Sequence, residues 1–160
     1  MSVAFTKEES AETASETMLP DRPVPEGPNL VTATGLAALE RQQAEARAAY
    51  EAALAIEDVN EKRRQAANPF RDLRYFTERL RTAQLVPPPE GTDFVAFGST
   101  VTFEREDGRV QTYRIVGEDE ADPRHGSISF TSPMARALIG KGLGEVAEVA
   151  GSEVEVTGIA

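Results

Sequence analysis

The chain has no cysteine, no tryptophan and a single histidine, His125, among its 160 residues. Without thiols it has no disulfide frame and no thiolate metal centre. With one imidazole, a zinc site would need mostly carboxylates, a poor donor set for that ion. No apolar run approaches the ~20 residues that span a bilayer. The N-terminus lacks a basic start followed by an apolar core, so no secretory signal is legible and a soluble cytoplasmic protein is expected. No phosphate-cradling glycine loop, catalytic triad or aromatic stacking platform stands out. His125, in Asp122-Pro-Arg-His-Gly126, has no second histidine or nucleophile nearby in sequence and reads as an exposed turn residue.

What is present is globular in composition: 40% hydrophobic, 28% charged, with a net charge of −10. The charge is uneven. Residues 1–33 carry two basic and six acidic groups, residues 34–86 nine and eight, and residues 87–160 six and thirteen. A chain this acidic is a poor autonomous binder of a nucleic-acid duplex, because phosphate affinity needs clustered lysine and arginine. Any link to nucleic acid should run through another protein.

Four segments are predicted. Residues 1–33 read as a flexible tail and linker: Pro23, Pro25, Gly27 and Pro28 forbid a helix and favour an extended run. The alternative for this tail is a peptide that docks through Phe5, Met18 and Leu19. Residues 34–86 read as two helices. The first, from about Gly35 to Glu57, is capped by Thr32 or Thr34 and carries Leu36, Leu39, Ala46, Tyr50 and Ala53 at seam spacing, with Leu54 and Ile56 beside them. The second presents Phe70, Leu73, Phe76, Leu80 and Ala83, and is expected to be continuous but bent at Asn68-Pro69. A short charged turn, Glu57 to Arg64, makes the pair an antiparallel hairpin. Residues 87–92, opening with Pro87-Pro-Pro89, are a hinge that no helix can cross. Residues 93–160 read as a small antiparallel sheet with one helix. Phe94 to Gly98 opens it, Val101–Phe103 and Val110–Val116 form a hairpin around Glu106-Asp-Gly108, Ile128–Phe130 follows, and Val146–Val149 with Val154–Val156 close it. Ser132 caps the helix, Pro133 takes its first position, and Gly140 and Gly142 end it. The fold class is α+β, a coiled-coil hairpin followed by a β domain.

Three strings in the last segment are distinctive: Tyr113-Arg-Ile-Val-Gly117, Asp119-Glu-Ala-Asp122 and Ser132-Pro-Met-Ala-Arg-Ala-Leu-Ile-Gly-Lys141. In this order and spacing they resemble the C-terminal domain of the bacterial Gre (GreA/GreB) transcription elongation and transcript-cleavage factors. The resemblance is specific over 93–160, partial over 70–86 and architectural over 34–69. It implies an FKBP-like C-terminal domain that grips the rim of the RNA polymerase secondary channel, and a hairpin that enters the channel. The protein would then act as a monomer and not as an enzyme itself, by assisting the polymerase's own active site.

The resemblance also assigns residues. Asp58 and Glu61 stand where relatives carry the tip carboxylates that help hold the second Mg²⁺ of the polymerase, an ion of the complex and not a cofactor of this chain. The chemistry is that of hard oxygen ligands for an otherwise weakly held cation. Glu57 and Lys62 depart from the family's Gly and Asn on either side, and Lys62-Arg-Arg64 offset the acids. Thr131, Ser132 and Pro133 match the rim-contacting loop, with Thr131 in place of Asp or Asn. Asp119 and Asp122 belong either to that docking surface or to a solvated acidic turn. Each helical arm is about one heptad shorter than in the cleavage factors, roughly 10 Å of reach at 1.5 Å per residue. Hence a second reading: a short-hairpin regulator that competes for the channel without stimulating cleavage. A third, peptidyl-prolyl isomerase, rests only on the similar C-terminal fold.

Overall fold

A computed structural model describes residues 19–160. They divide into two compact units, 19–27 with Leu39–Arg81, and Pro28–Ala38 with Thr82–Ala160. Phe5 and Met18, the other proposed tail anchors, lie outside the described residues. No helix among the described residues is long and apolar enough to cross a membrane.

Two long helices, α1 (Ala33–Leu54) and α2 (Val59–Thr82), form the predicted hairpin, and their residues Leu39–Leu54 and Val59–Arg81 belong to the first unit. Leu39, Ala46 and Ala53, seven residues apart, are buried along one line of α1, the expected seam. Gln43 Nε2 donates to Thr77 Oγ1 at 3.2 Å, and the Tyr50 and Phe70 rings lie 5.3 Å apart. Seven residues forward on α1 match seven back on α2, as antiparallel arms require. Helix α2 is continuous through Pro69.

Its buried face differs in part from the predicted one, with Phe76 common to both. Tyr75, Phe76 and Arg79 are buried, whereas Phe70 is 42% exposed. The Tyr75 and Phe76 rings lie edge to face, 5.3 Å apart, and Arg22 reaches both, 5.2 Å from the Phe76 ring centre. One cover of Tyr75 is Arg22, whose guanidinium lies 3.9 Å from the ring centre. Arg22 also pairs with Asp72 at 3.1 Å, and Asp21 with Arg74 at 3.0 Å. Residues 19–22, expected as tail, therefore lie along α2.

In the second unit two short strands, β1 (Asn29–Val31) and β2 (Ala83–Leu85), pair in parallel, with Val86 N donating to Val31 O at 3.0 Å. The stretch read as linker thus contains a strand. Five further strands follow: β3 (Thr100–Arg105), β4 (Val110–Val116), β5 (Ser127–Ser129), β6 (Val146–Val149) and β7 (Ser152–Ile159), in the order β5-β4-β3-β7-β6. The segment Phe94 to Phe97 is not a strand, although Val95 is fully buried. The sheet is mixed, which corrects the all-antiparallel expectation: β4 and β5 run parallel, Arg114 beside Ser127 and Val116 beside Ser129. The reason is the ten-residue connection 117–126, with a 3-10 turn at Pro123–His125, which is long enough to return the chain to Arg114, midway along β4. One helix, α3 (Pro133–Leu138), packs Ala135 and Leu138 into a core with Phe103, Ile115, Val154 and Val156.

Candidate functional site

Two places carry the residues singled out by sequence. The first is the hairpin turn. Asp58 caps α2: its Oδ1 accepts from Glu61 N at 2.8 Å, and its carbonyl accepts from Lys62 N at 2.8 Å. Asp-x-x-Glu is therefore a helix start in its own right, since Asp is a favoured N-cap and Glu at the third position suits the positive end of the helix. The Glu61 carboxylate does not complete a reciprocal box. It accepts from Arg64 at 2.7 Å and from Gln65 at 2.8 Å. Asp58 is exposed and Glu61 half-buried. One carboxylate oxygen of Asp58 is committed to the cap, and both oxygens of Glu61 are engaged. Among the described residues no group of three or more His, Asp or Glu is placed to hold a metal ion. Two such acids supply at most part of the octahedral shell that Mg²⁺ demands, with the remainder left to a partner.

The Arg64 hydrogen bond, with those of Gln65 and the Arg64 charge behind it, holds the Glu61 carboxyl below the usual carboxylate range. A lowered folded-state pKa makes this contact favourable above the ordinary Glu pKa and loses it as pH falls through the folded value. Side-chain carbon NMR should show Glu61 titrating at lower pH than an unpaired Glu, and Arg64→Ala should return it toward the ordinary range. Unchanged titration in Arg64→Ala would remove the assigned contact.

The second place is the loop between β5 and α3. Ser132 Oγ accepts from Ala135 N at 3.2 Å and Pro133 fills the first turn, as predicted. Thr131 is tied back to Ser129, through its amide at 3.1 Å and its hydroxyl at 2.7 Å. Phe130 N donates to Val116 O at 2.9 Å, so residues 130–133 and the segment starting at Gly117 leave the same end of the parallel β4/β5 pair. Asp119 follows from that end. Asp122 does not share it: its N–H reaches Ser127 Oγ at 2.9 Å, at the opposite end of β5, and its carboxylate meets His125 Nδ1 at 2.6 Å. His125 is an exposed turn residue. Of the acidic run, Asp119 is thus grouped with Thr131, Ser132 and Pro133, and Asp122 is separated from them by the strand.

Glu120, part of the Asp119-Glu-Ala-Asp122 string but given no role of its own from sequence, ties two distant segments together here. It accepts from Thr32 Oγ1 at 2.5 Å, while the same oxygen of Thr32 accepts from Gly35 N at 3.0 Å as the cap of α1. A Thr before a helix was a legible signal; its partner 88 residues later was not. Arg136 is exposed and makes no ion pair among the described residues.

A capped two-helix hairpin bearing carboxylates at its turn, with a small mixed sheet and one Ser-Pro-capped helix, defines a class of two-part protein. The model of the family described as "Transcription elongation factor, GreA/GreB, C-term" matches residues 89–159. Transcription elongation factor GreA of Methylobacterium nodulans is 39% identical over 149 residues, covering 81% of this chain and 94% of that protein. Transcription elongation factor GreA of Verminephrobacter eiseniae is 53% identical over 74 residues, 44% of this chain and only 47% of that protein. Thus the match spans about half the length of some of these relatives and nearly all of another. Among solved structures, the GreA factor homolog 1 (Gfh1) protein of Thermus thermophilus aligns over 84% of this chain and 99% of its own, at 22% identity and a TM-score of 0.39. The chain belongs to the GreA/GreB transcription elongation factor family.

Proposed function

We propose that this protein binds RNA polymerase through its C-terminal β domain, enters the secondary channel with its helical hairpin and modulates elongation. The observation carrying this reading is family membership over nearly the full length of a GreA, joined to Asp58 and Glu61 lying together at the hairpin turn. Thr131, Ser132, Pro133 and Asp119 form the surface that meets the channel rim, and Asp122 acts on the loop behind it. In this reading the protein is a cytoplasmic factor, and the catalytic Mg²⁺ belongs to the polymerase.

Within this function, regulation without stimulated cleavage is favoured over cleavage. Glu61 is already bound by Arg64 and Gln65, so reaching a metal costs it two charge-assisted contacts. The 149 aligned positions with the M. nodulans protein exceed the residues that 81% of this chain represents, so that relative carries residues with no counterpart here.

The test is RNA cleavage on a stalled elongation complex, with binding to core polymerase measured beside it. Asp58→Ala is a poor probe because it also removes a helix cap, at a cost of about 1 kcal/mol. Asp58→Asn with Glu61→Gln keeps the cap and removes both charges. Expected is binding to core polymerase by the native protein and the double variant alike, with little cleavage from either. Strong cleavage lost in the double variant would reverse the preference between the two modes. No binding, where an authentic Gre factor binds, would end the proposal.

A further inference from the structure

Residues 19–22 follow α2 in one direction. Arg22 sits on Tyr75 and Asp72, Asp21 pairs with Arg74, and Leu19 lies in a groove of about 360 Å³ that extends to Lys62. Falling residue number thus carries the chain toward the hairpin turn. The groove has an apolar floor of Tyr50, Leu54 and Phe70, with Leu54 45% and Phe70 42% exposed. Its edge is basic, with Lys62, Arg63 and Arg71. Lys62 and Arg63 make no ion pair among the described residues, whereas Arg71 lies 4.0 Å from Asp72, with its buried Nε making no hydrogen bond. An apolar surface rimmed by Lys62 and Arg63 without acidic partners asks for an occupant that is apolar and acidic.

The segment that leads into the groove has that chemistry. Residues 1–18 carry Glu8, Glu9, Glu12 and Glu16 against the single Lys7, together with Phe5 and Met18. Length permits the fit. From Arg74 to Lys62 the helix rises about 18 Å at 1.5 Å per residue. A chain covers at most about 3.3 Å per residue, so about six residues ahead of Asp21 reach the level of Lys62. The chain is long enough for Glu16 and Glu12 to reach Lys62 and Arg63.

We propose that residues 1–18 bind in cis to this groove, laying the acidic N-terminal segment against Lys62, Arg63 and Arg71 beside the hairpin turn. The polymerase reading is not required for this contact.

The native chain has no cysteine, so Ser10→Cys takes one nitroxide label in the full-length protein. Backbone amides of Lys62, Ala66 and Phe70 should broaden at low salt and recover as salt is raised, because exposed charge pairs are screened. Lys62→Glu with Arg63→Glu should relieve the broadening in the same way. Equal broadening in the charge-reversed variant would overturn the proposal. So would no selective broadening in the labelled chain. A third overturning result is broadening that appears only when a spin-labelled chain is mixed with an isotope-labelled chain lacking the nitroxide, since the occupant would then be a second copy.

Discussion

Gly117→Ala should lower the stability of the C-terminal unit by about 1–3 kcal/mol, the range for a forced methyl in a packed site. A Cβ at position 117 would stand 2.5 Å from the carbonyl oxygen of Leu30 and 3.7 Å from Val31 Cα. The obstacle is backbone within β1, which is held by its pairing with β2. No rotamer change relieves it, so the strand or the loop after β4 must move. The Val86 N–H, donating to Val31 O, should exchange faster with solvent as β1 loosens. Gly35→Ala is the matched control. There the nearest atom, at 2.7 Å, is the carboxylate oxygen of Glu120, the end of a flexible side chain. Its substitution should cost less in stability, at the expense of the Thr32–Glu120 bond. Urea denaturation gives the comparison. A Gly117→Ala protein with native midpoint and native Val86 exchange would show that the close approach to Leu30 is not present in solution.

Features carried by neighbouring residues were legible from sequence, and features that join distant segments were not. Ser132-Pro133 starts α3 because cap and first turn are decided within three residues. The seam of Leu39, Ala46 and Ala53 is legible for the same reason, as a periodicity inside one helix. Asp58 shows the limit: the sequence placed it at the turn, yet the spacing to Glu61 is equally the mark of a helix start, and the structure uses it as one. The misses share long separation. Strand β1 has three residues and no strand signal strong enough to oppose four nearby breakers; what makes it a strand is β2, more than fifty residues later. The burial of Tyr75 depends on Arg22, in a segment whose prolines argue for nothing but extension. The direction of β5 turned on how a ten-residue loop closes, which alternation cannot express. The grouping of Asp119, and not Asp122, with Thr131 follows from that same direction.

Phe103→Ala should be the most damaging single truncation, costing about 3–5 kcal/mol. The side chain is fully buried in β3, at the centre of the five-stranded order, with its ring stacked 6.0 Å from Tyr113. Its position is fixed from both sides, opposite Gln111 on β4 and Val156 on β7. The register with β7 shifts between Thr102 and Phe103, so the strand cannot slide one residue to refill the space without reversing every side chain. Phe94→Ala removes the same group from a site 60% exposed and should cost far less, because most of that ring already faces water. The two variants separate burial from composition, since both lose one phenyl ring from one domain. Thermal or urea unfolding followed by near-ultraviolet circular dichroism reads the difference. A functional consequence follows as well: with Thr131, Ser132 and Pro133 held only by β5 and α3, whose core contacts run through Ile128, Ala135 and Leu138 to Phe103, loosening that core disperses the loop. Binding to core polymerase should therefore fall in Phe103→Ala at temperatures where the domain unfolds and persist in Phe94→Ala at the same temperatures. Similar stability losses in the two variants would mean that the sheet does not close over Phe103 as described.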